Sequence, residues 1–74
     1  MQSEKERLAI LFSHEVEHNV AHAEEFKGLA EKAREIEESM VCDDILAGVE
    51  HMNKANELFL AALEKLRGEK ARQS

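Results

Sequence analysis

Seventy-four residues with no proline, tryptophan or tyrosine, and with 35% charged side chains, make one domain at most. That is below the size at which a single chain commonly closes a self-sufficient core. One cysteine, Cys42, excludes an intrachain disulfide and a multi-cysteine zinc site. Sixteen acidic against ten basic residues leave a net charge of −6, which opposes binding to nucleic acid or anionic membrane. No apolar run approaches the roughly 20 residues needed to span a bilayer, and no signal-peptide core follows Met1. With an unpaired thiol as well, the expected compartment is cytoplasmic.

Ala, Leu, Glu, Lys, Arg and Met dominate, and β-branched residues are scattered, a composition that favours helix throughout. Ser3-Glu4-Lys5-Glu6 reads as a capping box, with the serine oxygen serving a free N–H and Glu6 reaching back. From there Phe12, Val16, Asn19, Ala23, Phe26, Ala30 and Ala33 step by four and three, the seam of a heptad helix spanning about 4–36.

Within this first helix His14, His18 and His22 recur every fourth residue and stack along one strip. Neighbours at that spacing can bind one metal through imidazole nitrogens. His14 and His22 lie about 12 Å apart along the axis, so one ion cannot easily take all three. Glu15 precedes His18 by three residues and Glu25 follows His22 by three, placing a carboxylate within helical reach of each. On a helical wheel His22 lies nearest the core, His18 at its edge and His14 outermost, with Glu15 and Asn19 further inward. A charged Glu15 is expensive to bury unpaired, which is the physical argument for a site here.

Continuing the first seam past Ala33 turns Glu37 and Asp44 inward, whereas the next apolar stripe needs Cys42, Ile45 and Val49 there. The two stripes are out of phase, so a turn is expected at about 37–40, with Ser39 as cap of a second helix over about 41–67. The second seam runs Cys42, Ile45, Val49, Met52, Asn56, Phe59, Leu63 and Leu66. Gly68 falls where a left-handed C-terminal residue belongs, after Lys65 and Arg67, which suit the negative helix end. The basic residues from Lys65 to Arg72 read as a frayed terminus.

An antiparallel register that opposes Phe12 to Leu63 and Ala33 to Cys42 also sets Ala23 against Met52, Ala30 against Ile45, and Asn19 against Asn56. The asparagine pair is expected to fix register and oligomeric state. Leu11, Leu29 and Ile36 flank the first seam, while Ala55, Leu58, Ala62, Leu46 and Leu60 flank the second. That coverage is far wider than the narrow stripe of a two-stranded coil. At roughly 25 cal/mol per Å² the surplus favours self-association, most simply a two-fold dimer. The fourth histidine, His51, sits on the flank of the second helix and reaches the row only across a dimer interface or in a shifted register.

His14-x-x-x-His18-Asn19-x-x-His22-Ala23-Glu24-Glu25-Phe26, followed by a second amphipathic helix with Ala55-Asn56-Glu57, resembles a family of small, largely uncharacterised microbial helical proteins. The resemblance implies a hairpin and points to His14, His18, His22 and Glu25. It implies no activity and no particular metal.

The expected architecture is all-α, an antiparallel helical hairpin that dimerises into a four-helix bundle. The expected function is that of a small non-enzymatic protein binding Zn, Ni or Co through His18 and His22. Glu15 or Glu25 completes the set, and His14 is peripheral. A purely structural or protein-interaction bundle without metal is the competing class. A third is a di-iron carboxylate site, for which Glu15-Val16-Glu17-His18 supplies the Glu-x-x-His element. That site needs two inward glutamates from the second helix, where Glu57 and Glu64 face away from the seam.

Overall fold

The computed structural model describes residues 3–68, so the two leading residues and the basic residues beyond Gly68 lie outside the described part. Among the described residues the chain is all-helical: α1 (Glu4–Glu35) and α2 (Ser39–Leu66) form a hairpin. The expected capping box is present, with Ser3 Oγ accepting from the Glu6 N–H at 3.1 Å and Glu6 Oε1 accepting from the Ser3 N–H at 3.0 Å. Two of the free N–H groups at the start of α1 are thereby satisfied. Glu4 and Glu6 in the first turn, and Lys32 and Arg34 in the last, complement the helix dipole.

The reversal occupies Ile36–Glu38, slightly before the 37–40 expected from phase, and contains neither glycine nor proline. Glu37 takes the left-handed conformation, with φ 65°. Its N–H donates to the Arg34 carbonyl at 2.9 Å, and the Glu38 N–H donates to the Ala33 carbonyl at 2.8 Å. These are the two hydrogen bonds of a Schellman motif, built here on glutamate where glycine is usual. Glu38 then serves as N-cap of α2, its carbonyl accepting from the Cys42 N–H at 3.0 Å. Ser39 is therefore not the cap as expected. It is the first helical residue, and Glu38 makes no side-chain capping bond. At the far end Gly68 adopts φ 81° and donates to the Lys65 carbonyl at 3.1 Å, as its position after Lys65 and Arg67 predicts.

Buried positions recur every seven residues: Val16, Ala23 and Ala30 on α1, and Cys42, Val49, Asn56 and Leu63 on α2. This is the repeat that keeps one seam facing its neighbour along a left-handed coil. Ala30, Ala33 and Cys42 form the tightest cluster, closed by Ile45 and Leu46, as the expected register requires. Towards the open end the seam is filled by larger groups. Phe12 meets Phe59 edge to face with ring centroids 6.3 Å apart, and Arg67 donates to Ser13 Oγ at 3.3 Å.

The thinnest principal extent is 11 Å, the thickness of one layer of helices. A domain core is ordinarily enclosed between at least two layers. Consistent with that deficit, Leu8, Leu11, Leu29, Ile36 and Leu58 are all more than half exposed. Neither helix is long and apolar enough to cross a membrane.

Candidate functional site

The histidine row stands on the middle of α1, where the helix period sets its residues one above another. The imidazoles of His18 and His22 stack with centroids 4.6 Å apart and planes 15° from parallel. His14 meets His18 edge-on at 6.3 Å, an arrangement that leaves it at the end of the row. His22 Nδ1 lies 3.2 Å from Glu25 Oε1. A carboxylate only accepts, so Nδ1 carries the proton in that contact, and the lone pair of a neutral His22 falls on Nε2. A carboxylate holding one ring nitrogen while the other is free is the usual orienting arrangement beside a metal. Glu25 thus stands as an orienting partner of His22 in this geometry.

All three histidines are exposed, and the His22 side chain keeps 48% of its surface in solvent. Glu15 is exposed as well, contrary to its expected inward placement. Val16 and Asn19 take the direction facing α2, which leaves the flank carrying Glu15 open. No burial cost therefore presses on Glu15 within one chain. Among the described residues no three His, Cys, Asp or Glu side chains converge on a common point. Each hairpin holds a pair of stacked imidazoles and one carboxylate contact, short of a closed coordination set.

His51 is exposed on α2, lining a shallow cleft with Glu50, Asn53, Lys54 and Glu57. The expected Asn19–Asn56 pair does not form. Asn56 is 9% exposed, its Nδ2 has no hydrogen-bond partner, and Asn19 is half-buried opposite it. Sequence periodicity places an asparagine in the seam but says nothing of the rotamers by which two amides meet.

The two faces of the hairpin differ in chemistry. One cleft, of ≈ 490 Å³, is lined by Lys27, Asp43, Leu46, Glu50 and Asn53 among others. The opposite face carries a cleft of ≈ 250 Å³ lined entirely by Phe26, Ile45, Gly48, Val49 and Met52. On a wheel Leu8, Leu11 and Leu29 of α1, and Val41, Ala55 and Ala62 of α2, project to this apolar side. The histidine row forms its edge. The division of faces is implicit in the period of each helix, but it becomes legible only when both helices are turned to a common seam.

A family model described as "Domain of unknown function (DUF8180)" matches residues 8–66, so the chain belongs to that family. No curated protein and no solved structure matches it.

Proposed function

We propose that this member of the DUF8180 family is a non-enzymatic divalent-metal-binding protein that works as a homodimeric four-helix bundle. His18 and His22 are the primary ligands, Glu25 orients or joins them, and Glu15 and His14 are secondary. The observation that carries the reading is the stacked His18–His22 pair with Glu25 on His22 Nδ1, which leaves Nε2 as the donor atom. Imidazole and carboxylate donors suit Zn, Ni or Co, and their mutual preference follows the Irving–Williams order. Bundle formation is supported by the single-layer thickness and the large exposed apolar residues of one face.

Titration of untagged protein with Ni²⁺ and Zn²⁺ tests the metal reading. Sub-micromolar binding is expected, weakened at least about tenfold in His18→Ala/His22→Ala, as loss of ligands dictates. Absence of such binding, or an unchanged double mutant, rejects it. The exposed apolar face favours a second reading, a bundle whose groove receives another helix. That reading predicts association without any metal dependence.

A further inference from the structure

The coordination set within one chain is open, and the row that carries it borders an uncovered apolar face. Leu8, Leu11, Phe26, Leu29, Val41 and Phe59 are between 41% and 66% exposed. Together they leave on the order of 600 Å² of apolar surface in water, at the upper end of what a monomer tolerates. The part-buried Ile45, Met52 and Leu66 on the same side bring the face towards the roughly 800 Å² per partner of a standard interface. A chain of net charge −6 approaches its own copy most readily through a face whose cleft has no charged lining.

Size decides how two copies meet. Gly48, Ala55 and Ala62 recur every seven residues along the apolar side of α2, and a Cβ built on Gly48 meets no atom within 4 Å. On the matching side of α1 stand Glu15, His22 and Leu29, seven residues apart, with Leu11 one turn before Glu15. In the observed register these lie level with Ala62, Ala55 and Gly48 to within about one turn. A two-fold axis parallel to the helices lays α1 of one copy on α2 of the other, large residues over small, with every neighbouring helix antiparallel. The same operation adds the partner's two asparagines to the level of Asn56, whose buried Nδ2 lacks a partner in one chain.

That arrangement carries a chemical consequence. By helical period His51 falls on the outer flank of α2, between its apolar and polar sides and about level with Glu24 of α1, where it also walls the cleft with Glu50 and Lys54. The two-fold operation keeps its height, so the partner's His51 comes level with the His22–Glu25 contact. We infer that the metal site is shared between subunits: His18 and His22 of one chain, with Glu25 holding His22, are completed by the partner's His51, giving two equivalent sites per dimer. This rests on the metal-binding reading above, and the test separates the two.

His22→Ala and His51→Ala are prepared separately and mixed, with Ni²⁺ as the probe and sedimentation velocity reporting assembly. Both side chains are on the surface, so folding is retained. Each variant alone is expected to lose high-affinity Ni²⁺ binding. After equilibration the 1:1 mixture is expected to regain about one quarter of the wild-type sites, because half the dimers are mixed and each holds one intact site. Failure of the mixture to recover binding places both ligands on one chain and overturns the inference while leaving metal binding intact. Wild-type affinity in His51→Ala does the same. Wild-type affinity in His22→Ala, or no binding by wild type, removes the metal reading and the inference with it. Gly48→Leu is expected to weaken dimerisation at least tenfold while Gly28→Leu leaves it unchanged. A monomeric wild type, or equal effects of the two glycine variants, overturns the proposed interface, as does a stoichiometric complex with a different protein that excludes the second copy.

Discussion

Glu37 donates its backbone N–H to the Arg34 carbonyl at 2.9 Å while holding φ at 65°, so the chain reverses through a conformation that its own side chain disfavours. A left-handed residue with a Cβ costs roughly 1–2 kcal/mol relative to the right-handed region. Glu37→Gly keeps both hydrogen bonds of the motif and removes that strain, although glycine loses more entropy on folding. Stability is expected to rise by about 1 kcal/mol, read from urea unfolding at fixed protein concentration. Destabilisation would show that the glutamate side chain makes a compensating contact.

Gly28 lies inside α1, and a Cβ added there meets no atom within 4 Å. Gly28→Ala is expected to add about 1 kcal/mol through helix propensity alone, with the elution volume of the folded protein unchanged. A lower thermal midpoint would mean that another surface closes on this position.

The phase break that locates the reversal, and the sevenfold recurrence of Val16, Ala23 and Ala30 opposite Cys42, Val49, Asn56 and Leu63, are both legible in the sequence. They depend only on helix period and residue size. The left-handed Glu37 is not legible, because no residue type marks it and the motif is held by backbone groups. At the candidate site the His22–Glu25 contact follows from three-residue spacing. The wheel misplaces Glu15, because a projection of one helix cannot say which flank the neighbour leaves open.

Asn56 is buried with an unpartnered Nδ2 inside an apolar seam. In the isolated hairpin, at protein concentrations too low for assembly, Asn56→Leu removes that unsatisfied group and is expected to stabilise the fold by about 1–3 kcal/mol. Polar residues at such positions restrict register and oligomeric state. The same variant is therefore expected to sediment as a broader mixture of assemblies. A loss of stability at concentrations where the protein assembles would indicate that the amide is satisfied in the assembled protein.

Cys42 sits 2% exposed between Ala30 and Ala33, where the two helices are closest to their connection. A thiol reagent reaches its sulfur only after the helices part there, so labelling is gated by separation of that end. Trapping rates across reagent concentrations therefore time the breathing of the closed end without disturbing the histidine edge. The lone sulfur is in this sense a natural reporter of how often the helices part at that end.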